Sequence, residues 1–163
     1  MILLGLGANL PSATYGAPQA TLEAALAVLE AEGIAILRRS PWYRSAPLGG
    51  GEQPWYVNGV AVVATRLDPA GLLTLLHQIE ARFGRVRRER NEPRVLDLDL
   101  VDYAGRVSGT GQEPALPHPR LHDRAFVLLP IRDVAPGWRH PLSGESVDAL
   151  IARLPPAPSI VRL

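Results

Sequence analysis

Ile2 to Leu6 form an apolar run ending in the Gly5-x-Gly7 pair, and a run this short predicts a buried strand with a turn over Asn9 to Ser12. From Pro18 to Glu32 the apolar positions move to helical spacing, with Leu22, Leu26 and Leu29 as the stripe and Gly33 as the stop. Ile34 to Tyr43 reads as a strand broken near its end by Pro41, and Trp55 to Thr65 as the next strand. The Gly/Pro-rich stretch between them, 45 to 54, is too long for a tight hairpin, and loops of that kind usually carry function. Asp68 and Pro69 are an N-cap and first-turn pair opening a helix to Phe83, which Gly84 closes. A strand over Arg94 to Tyr103 follows. The resulting order, β-α-β-β-α-β, is the split plan of a ferredoxin-like α+β sandwich, and short helices near Arg124 to Asp133 and Ser146 to Leu154 are C-terminal additions to it.

The last of those strands carries the most informative polar positions. Side chains alternate faces along a strand, so Val95, Asp97, Asp99 and Val101 point one way and Leu96, Leu98 and Leu100 the other. Two carboxylates on one face, borne on Cα atoms about 6.6 Å apart, repel each other and attract cations. Magnesium suits such a pair, because it binds through one or two carboxylates and fills its shell with water and phosphate oxygens. Immediately before the strand stand Arg85, Arg87, Arg88, Arg90 and Arg94, permanently charged forks that grip phosphate bidentately. Carboxylates for metal beside guanidiniums for phosphate point to phosphoryl or pyrophosphoryl transfer.

Composition narrows the classes. A chain of 163 residues is one domain by length. It has no cysteine, so disulfides and thiolate metal sites are excluded, and no apolar run reaches the length of a membrane span. The first residues lack the basic and long apolar regions of a signal peptide, so a cytoplasmic protein is expected. A net charge of +1 argues against broad binding to nucleic acid. Every basic residue is arginine, so no lysine is available as a phosphate ligand. The Gly5-x-Gly7 pair lacks the third glycine of a dinucleotide loop, and Pro11 precedes any helix, so that reading fails.

Other polar residues interrupt apolar rows. On the Asp68 to Phe83 helix the stripe is Leu72, Leu76, Ile79 and Phe83, and Glu80 falls inside its arc, with His77 at the border. Buried there, Glu80 either snorkels near the helix end or accepts hydrogen bonds from an arginine or a ribose. Tyr56, Asn58, Val60 and Val62 share a strand face, which makes Asn58 an amide suited to a heterocycle's edge and Tyr56 a ring able to stack on it. Each also has an ordinary structural reading. Pro117-His118-Pro119 fixes a histidine between two rigid residues, with Arg124 and Phe126 soon after. His122 and His140 receive no role.

These residues resemble the 6-hydroxymethyl-7,8-dihydropterin pyrophosphokinase family. The likeness runs through the opening Leu-Gly-Leu-Gly-Ala-Asn-Leu, Ser45-Ala-Pro-Leu-Gly, Tyr56-Val-Asn, Gln78-Ile-Glu with Gly84-Arg-Val-Arg, Pro93-Arg-Val-Leu-Asp-Leu-Asp, and Leu116-Pro-His-Pro with Arg124-Ala-Phe. The resemblance implies transfer of the β,γ-diphosphate of ATP to a pterin alcohol with release of AMP, in folate biosynthesis. It implies two magnesium ions on Asp97 and Asp99, and catalytic contacts from Arg85 and Arg94 to the phosphates. His77, Glu80, His118 and Arg124 would contact ATP, and Ser45, Leu48, Tyr56, Asn58 and Phe126 would hold the pterin. The chain departs from the common family pattern at His77, at Ala46 and at Asn91-Glu92.

Two other classes remain as alternatives. A ferredoxin-like RNA-binding module could use the arginine loop, but it would be expected to carry aromatic platforms on a central strand, and none is present. A regulatory nucleotide-binding domain could keep the arginines but has little use for paired metal carboxylates.

Overall fold

A computed structural model of the chain describes residues 1–47, 54–85, 94–156 and 159–163. Its elements are β1 (Ile2–Ala8), α1 (Pro18–Ala31), β2 (Ala35–Arg39), β3 (Tyr43–Ser45), β4 (Tyr56–Ala64), α2 (Pro69–Arg82), β5 (Asp97–Tyr103), a 3-10 turn at Leu121–Asp123, α3 (Ala125–Val134), α4 (Val147–Ala152) and β6 (Ile160–Arg162). The strands form one antiparallel sheet in the order β5-β1-β4-β3-β6, with β2 also paired to β4. The architecture is α+β, as the element order anticipates. Asp68 caps α2 by accepting from the Gly71 N–H at 2.7 Å, and Gly33 and Gly84 take the positive φ that stops each long helix.

The single strand expected over 34 to 43 is two strands. β2 pairs with the Ala61 to Ala64 half of β4, and β3 with the Tyr56 to Asn58 half. Pro41 has no N–H to give the ladder, and Ser40 bridges the gap, its N–H donating to the Val60 carbonyl at 2.9 Å and its hydroxyl accepting from the Val60 N–H at 3.0 Å. Gly59 lies beneath this break, where an added Cβ would stand 2.6 Å from the Trp42 ring. Gly59→Ala is therefore expected to lower stability by about 1–3 kcal/mol through overpacking, read as a shift in the urea midpoint without a change in slope.

The sheet has a core on each face. On one, α1 and α2 bury Leu22, Leu26, Leu29, Leu72, Leu76 and Ile79 against Leu4, Leu6, Ala61, Val63, Leu98 and Leu100. On the other, α3 and α4 bury Leu128, Ile131, Val134, Val147 and Leu150 against Leu3, Val60, Val62 and Val101. The C-terminal helices thus cover only part of their face. The uncovered part is where β1, β4 and β5 present Gly5, Gly7, Asn58, Asp97 and Asp99.

Two polar links, one partly and one fully buried, fasten α3 and its following turn to the sheet. The Tyr43 hydroxyl donates to Asp133 at 2.5 Å, and the Trp138 indole N–H donates to Asp102 at 2.8 Å. Burial and the Asp133 carboxylate push the Tyr43 phenol up to about 12, so this link persists across the neutral range. The strand expected from Arg94 begins instead at Asp97, because the N–H and carbonyl of Arg94 are taken by Asn9 and Leu10 rather than by a neighbouring strand. β6, unanticipated from the sequence, extends the sheet beyond β3. Among the described residues no helix is long and apolar enough to cross a membrane.

Candidate active site

The antiparallel register sets out the site row by row. Gly5 of β1 lies opposite Asp99 of β5, and Gly7 lies opposite both Asp97 of β5 and Asn58 of β4. Strands are spaced by about 4.8 Å, so Asp97 and Asn58 stand roughly 10 Å apart across a strip that carries no side chain. The two glycines are the floor of that trough. A Cβ on Gly7 would approach the Asn58 amide nitrogen to 2.5 Å, and one on Gly5 would approach a Val101 methyl to 3.3 Å. His118, Arg124 and Phe126 complete the walls of the same cavity.

One wall is a chain of opposite charges. Asp97 accepts from Arg85 at 2.6 Å through one oxygen and from Arg94 at 2.8 Å through the other. Arg85 reaches back to Glu80, with which it forms a second ion pair. The Glu80 and Arg85 side chains are only 2% and 6% exposed, and the same Glu80 oxygen accepts from the Leu98 N–H at 2.9 Å. Of the two readings of Glu80, the arginine partner is the one this arrangement contains. Glu80 thereby ties the end of α2 to the outer edge of β5, directly beside the acid pair.

The two aspartates titrate in opposite directions. Burial would raise the carboxyl pKa of Asp97, but Arg94 and Arg85 outweigh it and hold that group below the usual carboxylate range. Asp99 is pushed up to about 7, first by burial and then by the negative charge of Asp97. His118 is held below its ordinary value by burial and by Arg124, and its Nδ1 accepts from the Arg120 N–H at 3.2 Å. The His118 N–H itself donates to the Val101 carbonyl at 2.9 Å, which fixes the Pro-His-Pro segment along β5.

The donor set suits a hard cation that brings its own oxygen ligands. Among the described residues no cluster of three or more His, Cys, Asp or Glu side chains is arranged to hold a metal. Two carboxylates suffice for magnesium when substrate phosphates and waters supply the rest. Among the described residues, the buried Nε atoms of Arg85, Arg94 and Arg124 have no hydrogen-bond partner. Orphaned guanidinium donors on both sides of the aspartates are what a polyanion in the trough would satisfy.

Most of the residues singled out in the sequence converge here. Asp97, Asp99, Asn58, His118, Arg124 and Phe126 line the trough, with Arg85, Arg94 and Glu80 packed beside Asp97. Ser45 lines an adjoining pocket that shares Arg124 and Phe126, and its hydroxyl is 3.5 Å from the Asn58 carbonyl oxygen. Tyr56, opposite Ser45 at the start of β4, is half-buried just beyond the residues that line either cavity. His77 is exposed on α2, one turn before Glu80 and away from the trough. Leu48, Arg87, Arg88, Arg90 and Asn91 lie outside the described residues. The sequence reading missed Gly5 and Gly7 as the floor. Their two-residue spacing on a strand was the available signal, since it places both glycines on one face.

A family model described as 7,8-dihydro-6-hydroxymethylpterin-pyrophosphokinase (HPPK) matches residues 3–136. The chain is 39% identical over 152 residues to a 2-amino-4-hydroxy-6-hydroxymethyldihydropteridine pyrophosphokinase of Synechocystis, covering 93% of this chain and 75% of that one. It is also 39% identical over 155 residues to the protein of the same name from Methylorubrum extorquens, covering 94% and 93%. Among solved structures, the Plasmodium falciparum HPPK-DHPS superposes with a TM-score of 0.70 at 14% identity, over 93% of this chain and 40% of that one. That likeness concerns the fold alone.

Proposed function

As a member of the 7,8-dihydro-6-hydroxymethylpterin-pyrophosphokinase family, this chain is a pyrophosphokinase of folate biosynthesis, and we propose that the trough between β5 and β4 is where it transfers diphosphate from ATP to 6-hydroxymethyl-7,8-dihydropterin. The observation that carries the assignment is the placement of the acid pair and the Asn58 amide on opposite sides of the Gly5–Gly7 floor. Phosphates lie on the acidic side and the acceptor ring on the amide side. The strand order and the two helices packed on one face support the finer reading of the fold as ferredoxin-like, with α3, α4 and β6 added to a single domain over 1–163.

Asp97 and Asp99 would hold magnesium, in our reading two ions bound together with ATP. When bound, magnesium neutralises phosphate charge and orients the triphosphate for in-line displacement. Arg85 and Arg94, oriented by Asp97, would engage the phosphate oxygens, and Arg124 would contribute from the opposite wall. His118 borders the nucleotide side and Glu80 supports it through Arg85, whereas His77, exposed on α2 outside the lining of the trough, is left without a contact to ATP in this reading. On the acceptor side Asn58 reads the ring's amide edge, Phe126 and Tyr56 flank its faces, and Ser45 closes the slot. The hydroxymethyl oxygen then attacks the β-phosphorus, the bond from that phosphorus to the α,β-bridging oxygen breaks, AMP departs with that oxygen, and the hydroxyl proton passes to water. Positioning and charge stabilisation provide most of the acceleration.

The deciding assay combines purified protein, ATP, magnesium and the pterin alcohol, with AMP as the expected product. ADP in place of AMP overturns the diphosphate assignment. Metal affinity should also depend on pH. Asp99 holds its proton up to about 7 in the metal-free protein, so below that pH a cation must displace it. Magnesium affinity, followed by calorimetry with a non-hydrolysable ATP analogue, is expected to fall about tenfold per unit below pH 7 and to level off above it. A flat profile from pH 5.5 to 8 would show that no proton on Asp99 competes with the cation.

A further inference from the structure

Asn9 is a buried polar residue, 1% exposed, that the mechanism above leaves unused. Its side-chain oxygen accepts from the Arg94 N–H at 2.7 Å. Its own N–H and that of Leu10 donate to the Arg94 carbonyl at 3.0 and 3.1 Å. Both backbone polar groups of Arg94 are therefore fixed by the end of β1, 85 residues away in sequence. The remaining Asn9 group, its amide nitrogen, donates to the Pro54 carbonyl at 3.2 Å. Pro54 stands two residues before Tyr56 and four before Asn58.

We propose that Asn9 is a positioning residue that sets the phosphate-binding Arg94 and the acceptor-binding start of β4 in one register. Only an amide does this, because one end must accept and the other must donate. Arg94 precedes β5 and belongs to no strand ladder, so the Asn9 side chain is the partner described for its N–H, while its carbonyl is held by the N–H groups of Asn9 and Leu10. Its guanidinium, 2.8 Å from Asp97, depends on that anchor for its direction. The proposal rests on the assignment of the two sides of the trough given above. Its two arms can be separated.

Asn9→Asp keeps an acceptor for the Arg94 N–H but cannot donate to Pro54. Asn9→Ala removes both side-chain arms. For each variant, dissociation constants are measured separately for a magnesium-loaded, non-hydrolysable ATP analogue and for the pterin alcohol, together with kcat, KM and the thermal midpoint. Asn9→Asp is expected to weaken pterin binding about tenfold and to leave analogue binding within about twofold of the parent protein. Asn9→Ala is expected to weaken both about tenfold. A general structural role predicts equal losses on both sides in Asn9→Asp, or none in folded Asn9→Ala, and either result overturns the proposal. Should Asn9→Ala fail to fold, the split in Asn9→Asp decides alone. If the parent protein bound the analogue but not the pterin, the acceptor assignment would fall, while the analogue constant of Asn9→Ala would still report whether Asn9 positions Arg94.

Discussion

Asp97→Ala will lose about a thousand-fold or more in diphosphate transfer while remaining folded. Asp97 is the junction of the site: both of its oxygens are engaged, one by Arg85 and one by Arg94, and it stands beside Asp99 on the same strand face. Losing it removes a magnesium ligand and the group that aims two guanidiniums into the trough, and removal of one preorganised electrostatic element typically costs 10²–10³ in rate. The fold tolerates the change because Arg85 retains Glu80 as a buried partner, and the Arg94 side chain is 22% exposed and partly hydrated. Activity, magnesium-dependent binding of the ATP analogue and circular dichroism should be measured on the same preparation. A variant that unfolds would show that Asp97 is structural, and one that retains a tenth of the parent activity would exclude it as a metal ligand.

Glu80→Ala is expected to act on stability as well as on rate. Its carboxylate is 2% exposed, pairs with a guanidinium that is itself 6% exposed, and accepts the Leu98 N–H at 2.9 Å. Removing one member of a buried ion pair leaves the partner desolvated and costs about 3 kcal/mol. In a domain of this size that corresponds to a fall of roughly 10 °C in the thermal midpoint. Glu80→Gln keeps an acceptor for Leu98 and should recover part of the loss, whereas activity should recover little, because a neutral amide does not balance Arg85. A Glu80→Ala protein as stable as the parent would mean that Arg85 is neutralised sufficiently by Asp97 alone.

Residue placement was legible in the sequence where the relevant relation is short-ranged. Asp97 and Asp99 share a face because strand side chains alternate, and nothing farther away is needed to know it. The α2 stripe and the placement of Glu80 within its arc follow from helical periodicity in the same way, and Glu80 is buried as that arc requires. Family likeness added the residues that periodicity cannot assign, such as His118, Arg124 and Phe126, and the trough gathers all three. It also pointed to His77, which is exposed on α2. Helix periodicity placed that residue at a border, and the angle of the border to the trough is a property of how α2 docks on the sheet.

The linear order of residues was enough for the two helices that end at glycine, the apolar faces that α1, α2 and the strands present, the paired acids and the basic run before them, since each depends on neighbours within a few positions. It was not enough for the partners. That Gly7 separates Asp97 from Asn58 and that Asn9 holds Arg94 follow from β1 lying between β4 and β5, while Arg85 divides its charge between Glu80 and Asp97 because α2 packs beside β5. This placement is fixed by burying apolar residues on both faces of the sheet at once, an energy summed over segments tens of residues apart, so no local window of the chain contains it.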